Sequence, residues 1–239
     1  DIFSPIDLGT QDPPGPSNLY DVTINIDQLN DCDEFNAGNN FATCLNDAGY
    51  IVGPVTQTND PNVNPVGSNV IDIVTEDFML NGCDEAGNGD NFATCNNFGD
   101  STVVAIDQDN IVSGTIGASF VESNTINILQ GFNLNNDCDE EGDGNSVLTN
   151  PCQNDADNLI GPLDQLNNIG SSNPNSIHTN NIEISQTGAA INSCDESGAG
   201  TGTNDPNCTT DVDNSIGSLM DGVTQPNHAS GDADNAAQT

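Results

Sequence analysis

Residues 71–95 read IDIVTEDFMLNGCDEAGNGDNFATC, and the elements of this stretch recur along the chain. Its acidic triplet, Cys83-Asp84-Glu85, has counterparts at Cys32-Asp33-Glu34, Cys138-Asp139-Glu140 and Cys194-Asp195-Glu196, in steps of 51, 55 and 56 residues. Each triplet leads through a Gly-rich tail to a second cysteine (Cys44, Cys95, Cys152 and Cys208), at separations of 12, 12, 14 and 14. A fixed period of this kind marks a repeat architecture. Two cysteines per repeat with none left over favour local bridges, Cys32–Cys44, Cys83–Cys95, Cys138–Cys152 and Cys194–Cys208.

The register extends outward from the cysteines. Ile71-Asp72-Ile73, Ile126-Asn127-Ile128 and Ile182-Glu183-Ile184 each begin 12 residues before their cysteine, whereas in the first repeat Ile24-Asn25-Ile26 begins 8 before. Gln falls 13 and Asn 15 residues after the second cysteine at Gln57/Asn59, Gln108/Asn110 and Gln165/Asn167; the fourth repeat breaks the pattern with Asp221. Gly53-Pro54 and Gly161-Pro162 share a position, with Gly217-Ser218 in the fourth repeat. Alternation of Ile with polar residues predicts half-buried strands, and Asn59-Asp60-Pro61, Asn64-Pro65 and Asn173-Pro174 predict turns between repeats. No segment has helical periodicity.

The expected class is therefore all-β, a solenoid-like stack of four disulfide-tied repeats of about 50 residues, with an antiparallel β-sandwich as the alternative. The repeats run over about 21–68, 69–122, 123–179 and 180–225. Residues 1–20, with four prolines, read as a separate extended segment able to reach a neighbouring subunit as an added strand, and 226–239 as a polar tail.

Composition narrows the function. The chain of 239 residues has no Lys, no Arg and 37 acidic residues, a formal charge of -37. Nucleic acid and anionic membranes are excluded as expected partners, since both are held by basic side chains. No apolar run approaches the roughly 20 residues of a membrane span. The paired cysteines point to an oxidising compartment, and a start at Asp1 is read as that of a mature secreted product. Cysteines 12–14 apart, with only His178 and His228 in the chain, do not suit zinc. The acids recur equally in every repeat, and without Trp there is little aromatic platform for sugar, so an enzyme is not expected. Asn207-Cys208-Thr209 is a weak glycosylation match.

Stacked repeats place equivalent residues about 4.8 Å apart, which favours rows of Ile or of amides and opposes rows of carboxylates. Self-repulsion at this charge opposes a compact state, and no basic side chain is present to offset it. Hard divalent cations, calcium first, suit carboxylate and carbonyl oxygens. The candidate ligands in the cysteine loops are Asp31, Asp33, Glu34, Asp84, Glu85, Asp90, Asp137, Asp139, Glu140, Asp143, Asp195 and Glu196. A second set follows the second cysteine: Asp47, Asp155, Asp157, Asp211 and Asp213. Their spacing is not that of an EF-hand loop.

Taken together, the Ile-x-Ile, Cys-Asp-Glu and Gln-x-Asn elements of residues 21–225 resemble secreted microbial proteins that build extracellular fibres. The Gln-x-Asn spacing is similar to that of curlin repeats, although the period here is more than twice as long and curlin lacks these cysteines. The acidic pattern resembles calcium-stabilised nanofibres whose subunits stack along a line of calcium ions. The resemblance implies a self-assembling structural subunit of a biofilm or matrix filament, with several calcium ions per subunit and copies of itself as partners. The alternatives are a monomeric calcium-binding adhesion module and an acidic mineral-binding matrix protein.

Overall fold

Period-2 alternation puts every second side chain on one face, so these segments gain by pairing edge to edge and burying that face. The computed structural model describes residues 2–10, 18–35, 38–59, 66–112, 121–139, 152–169, 177–193, 208–216, 223–224, 227–229 and 236–238. Among them there is no helix. The strands are β1 (Ile2–Thr10), β2 (Asn18–Asp31), β3 (Thr43–Asn59), β4 (Val66–Gly82), β5 (Thr94–Val103), β6 (Ile106–Val112) and β7 (Val121–Asp137), followed by β8 (Cys152–Ile160), β9 (Leu163–Ile169), β10 (Ile177–Ser193), β11 (Cys208–Ile216), β12 (Val223–Thr224), β13 (Asn227–Ala229) and β14 (Ala236–Gln238). All the strand pairs among the described residues are parallel, in two sheets, so the antiparallel alternative does not describe the chain.

One sheet runs β2–β4–β7–β10–β14. The other runs from β1 to β3, then to β5 with β6, β8 with β9, and β11 with β12 and β13. Each repeat gives one strand to the first sheet and one line of strands, interrupted after the first repeat, to the second, and the repeats follow chain order in both. Parallel neighbours need a crossover between them; here the cysteine loop and the strand of the opposite sheet supply it. The registers in the first sheet are offset by 51, 55 and 56 residues. In the second they are 51, 57 and 56. The strands on either side of the third cysteine pair thus keep their faces although two more residues separate its cysteines.

Two readings of the repeat pattern are corrected by these registers. Tyr20 and Val22, not Ile24 and Ile26, pair with Ile71 and Ile73, so the first repeat has its apolar pair at the same distance from the cysteine as the others. Ile24 and Ile26 instead meet Thr75 and Asp77. In the fourth repeat Asn227, 19 residues after Cys208, pairs with Asn167, so the row resumes after an insertion rather than ending at Asp221.

The core between the sheets is zoned along the strands. At one end Cys32–Cys44, Cys83–Cys95 and Cys138–Cys152 are disulfides joining the two sheets. Cys208 is also disulfide-bonded, and its expected partner Cys194 lies outside the described residues. Farther along, Tyr20, Ile71, Ile73, Ile126 and Ile128 pack against Tyr50, Val52, Val55, Val103, Ile106, Ile160 and Leu163. The second sheet bends at one level in successive layers, at Gly53-Pro54, Val104-Ala105 and Gly161-Pro162. Gly53 has φ +106°, and a Cβ there would collide with the Val104 carbonyl oxygen, so only glycine fits.

Between the disulfides and the apolar zone lies a double row of asparagines. Asn30, Asn81, Asn136 and Asn192 stack in the first sheet and Asn46, Asn97 and Asn154 in the second. Each amide spends its hydrogens on the next layer and on the facing sheet. Asn97 donates to Asn154 Oδ1 (2.9 Å), Asn136 Oδ1 (2.9 Å) and the Asn135 carbonyl (3.0 Å), and accepts from Asn46 (2.9 Å) and Asn81 (3.0 Å). A buried polar group without a partner costs about 1–3 kcal/mol, so the row is secure only when complete. Asn97→Ala removes five hydrogen bonds at once: the amides of Asn46 and Asn81 each lose one acceptor, and Asn136 Oδ1, Asn154 Oδ1 and the Asn135 carbonyl each lose one donor. We expect it to lower unfolding stability by about 3 kcal/mol or more in urea titration; a loss under about 1 kcal/mol would show that the row contributes little.

Candidate cation-binding rows of acidic residues

In-register stacking turns a recurring acid into a row. In the cysteine loops, Asp33 Oδ1 accepts from the backbone N–H of Asp84 (2.8 Å), and Asp84 Oδ1 from that of Asp139 (3.0 Å). Asp139 in turn accepts from the Ser193 hydroxyl (2.9 Å). Each carboxylate therefore caps the layer after its own. Asp31, Asp33, Asp84 and Asp137 line a groove of about 370 Å³ beside Gly82, where a Cβ would press on Asp33 Oδ1 at 3.1 Å. Burial, then the charges of Asp137, Asp33 and Asp139, push Asp84 up to about 6, opposed by the Asp139 N–H.

Glu34 and Glu85 face each other across an isolated parallel bridge. Glu85 is fully buried; its Oε1 accepts from the Gly87 N–H (2.9 Å), while Oε2 has no hydrogen-bond partner among the described residues. Asp90 lies in the same loop, its N–H donating to Asn39 Oδ1 (2.9 Å). Glu140, Asp143, Asp195 and Glu196 lie outside the described residues.

The second predicted set lies on the outer face of the other sheet, in two adjacent rows. Asp47, Asp155 and Asp211 share one, with Phe98 between Asp47 and Asp155. Asp157 and Asp213 share the next with Asp100, which sequence reasoning missed. The signal was present: Asp100, Asp157 and Asp213 each stand five residues after the second cysteine. Burial raises Asp157, reinforced by the charges of Asp100, Asp155, Asp213 and Asp211. Burial likewise raises Asp100, with Asp155 and Asp47 adding to it. Farther along the same sheet Asp107 pairs with Asp164, and Asp109, two residues on, is pushed up to about 6 by burial and by both neighbours.

A second buried acid lies farther along the core. Asp77 is 4% exposed and lies in a row with Ile26, Phe132 and Gly188. Its Oδ2 accepts from the Tyr50 hydroxyl at 3.4 Å, and its buried Oδ1 has no partner among the described residues. Burial pushes its carboxyl up to about 6 and the Tyr50 phenol up to about 12.

Comparison of the chain with family models, with characterised proteins and with solved structures finds no match. The chemistry must therefore be read from the rows themselves. Among the described residues no three carboxylates converge to within 4.8 Å; only the sulfurs of Cys44, Cys83 and Cys95 do, and these are bound in disulfides. The acids form lines along the stack rather than a cage within one layer. A cation held by them would bridge layers.

Asp77, Asp84 and Asp109 each hold a proton up to about pH 6 in the folded chain, against 3.8 for an ordinary aspartate. The folded form binds these protons more tightly than the unfolded form. Stability is therefore fullest below about pH 4, falls as pH rises towards 6, and has lost this contribution above it. We expect a higher urea midpoint at pH 4.5 than at pH 7 in EDTA, and a flatter profile for Asp77→Asn. A midpoint that rises with pH would contradict this.

Proposed function

We propose that this chain is the structural subunit of a self-assembling, calcium-stabilised extracellular filament. The observation that carries the reading is that the apolar core is open at both ends of the stack on the side of the first sheet, β1 covering the other side at the first layer. Val22, Ile24 and Ile26 in the first layer and Ile182 and Ile184 in the fourth are only partly buried, whereas Ile71, Ile73, Ile126 and Ile128 between them are buried. Further copies of the chain would cover these faces, at about 25 cal/mol for each Å² of apolar surface removed from water.

Calcium is supported by the chemistry of the rows. Each added layer lengthens a line of carboxylates, and the chain has no Lys or Arg to offset it. Hard divalent cations with 6–8 oxygen ligands would bridge carboxylates of successive layers in pairs, along Asp33, Asp84 and Asp139 or along Asp100, Asp157 and Asp213. The disulfides belong to an oxidising, non-cytosolic environment, and among the described residues no helix is long and apolar enough to cross a membrane. Secretion to a cell surface or matrix accords with both. The monomeric adhesion module draws support from β1 and β14, which lie on outer edges of the stack as capping elements do.

Negative-stain microscopy in millimolar calcium, repeated after EDTA, tests the reading. We expect long uniform fibres that fray in EDTA, and several calcium ions per chain by elemental analysis. Monomers alone in both conditions would overturn the filament in favour of the adhesion module. Asp84→Asn separates charge from metal. It removes a repelling carboxylate, so the variant should be more stable than the parent in EDTA and gain less from calcium. An unchanged calcium gain would remove Asp84 from the ligands.

A further inference from the structure

The two ends of the stack are not equivalent, and the asparagine row makes them complementary. In the first layer Asn30 gives its amide hydrogens to Asn46 Oδ1 (2.8 Å), Asn81 Oδ1 (3.0 Å) and the Leu45 carbonyl (3.1 Å), and its own Oδ1 accepts no bond among the described residues. In the fourth layer Asn192 accepts from Asn136 (2.9 Å) and Asn154 (3.0 Å), and its amide turns to the Thr209 carbonyl (2.6 Å) and the Thr210 hydroxyl (2.9 Å). One end therefore presents an idle acceptor, and the other an amide whose hydrogens stay within its own layer where Asn136, the layer before, also shares them with the next. The row between them is built from that same amide-to-carbonyl step, repeated from layer to layer.

Exposed apolar side chains mark the same two ends. Among the described residues the large exposed hydrophobics of the first layer are Leu19, Leu29, Phe35, Phe41, Leu45 and Ile51; the fourth has Ile191 and Ile216, and only Phe78 lies between. Phe41, 70% exposed, already stacks on Phe92 with ring centroids 5.0 Å apart, so its outer face is the open end of an aromatic row. The backbone edges match in length. Among the described residues β14 covers only 178–180 of β10, and no strand covers the rest of that edge, Asn181–Ser193. Continuing the registers of the first sheet would set that edge against Leu19–Asp31 of β2.

We propose that copies of this chain dock head to tail, the open β10 edge of one lying parallel on the β2 edge of the next, with Asn192 donating to Asn30 Oδ1. The proposal rests on the filament reading and adds its polarity and register. A two-fold contact of β2 with β2 would set acceptor against acceptor and run the strands antiparallel, against every pairing in the stack. In the second sheet β11 continues onto the uncovered Thr43–Gly49 of β3, and β1, which pairs with Tyr50–Thr58, gives way.

The register can be trapped covalently. Thr23 and Ser185 are exposed on the outer face of the first sheet and would become neighbours about 4.8 Å apart, within disulfide range. Thr23→Cys and Ser185→Cys combined in one chain should give covalent multimers from calcium-grown fibres, with the peptide linking positions 23 and 185 found by mass spectrometry. Either single variant should give none. Fibres without the 23–185 link, or a 23–23 link from Thr23→Cys alone, would overturn the polarity and leave the filament standing. Absence of fibres from the unsubstituted chain would instead remove the filament reading itself. A chain lacking residues 1–10 should assemble with a several-fold shorter lag; slower assembly would make β1 part of the contact and overturn its displacement.

Discussion

In a stack of parallel strands kept in register, every side chain meets its own equivalent about 4.8 Å away, layer after layer. Like packs on like, and each residue type is judged by whether it tolerates that. Isoleucine does, and the rows at Ile71 and Ile73 carry the apolar core. Asparagine does so more specifically, because an amide is both donor and acceptor and can hand one hydrogen to the next layer while keeping the other for the facing sheet. Asn69 donates forward to Asn124 in another such row (2.9 Å), and the glutamines run the opposite way, Gln108 donating back to Gln57 and Gln165 back to Gln108 (both 2.8 Å). The bulk of the buried polar side chains here are amides for this reason.

Carboxylates fail the same test. Two unit charges at about 4.8 Å repel by about 1 kcal/mol in water and about 3–4 kcal/mol near a protein surface, more than the roughly 1 kcal/mol net gain of a typical hydrogen bond. The chain manages this in ways visible in the rows. Asp33 and Asp84 turn an oxygen to a backbone N–H of the following layer. Asn127 stands in the row of Asp72 and donates to it (2.6 Å). Phe98 interrupts the row of Asp47 and Asp155, and Gly82 that of Asp31 and Asp137. Burial first, and then the repulsion these devices leave over, raise the proton affinity of Asp84, Asp100, Asp107, Asp109 and Asp157.

The layer spacing was legible in the sequence because the Cys-Asp-Glu triplet is rigidly tied to it: its steps are the register offsets of the first sheet. Residue identity was the poorer guide. Ile24-Asn25-Ile26 imitates the apolar pair, whereas distance from the cysteine selects Tyr20 and Val22. The same rule would have found the asparagine rows, since Asn30, Asn81, Asn136 and Asn192 each stand two residues before the first cysteine and Asn46, Asn97 and Asn154 two after the second. It would also have found Asp100. It could not have found Asp77, which has no acidic equivalent in any repeat. Its enclosure follows from the alternation of β4, which puts position 77 inward regardless of what occupies it.

The energetics of such a stack are local. Each layer is stabilised by its neighbours through rows of contacts, so a unit of four layers has three interfaces, while the same unit in an endless stack has four. Charge behaves alike, since screening confines repulsion to within about 8 Å at physiological salt, hardly beyond the second layer. Lengthening the stack therefore changes neither term per layer; what it removes is the two ends. At those ends Val22, Ile24, Ile182 and Ile184 lie half covered, and the asparagine row stops at an idle acceptor. Whether growth is favoured is decided at one contact, where the apolar and amide rows gain a partner and the acidic rows gain another like charge. Any agent that neutralises that added charge without disturbing the rows beside it tips the balance at each step, and a cation held between carboxylates of successive layers acts at that position.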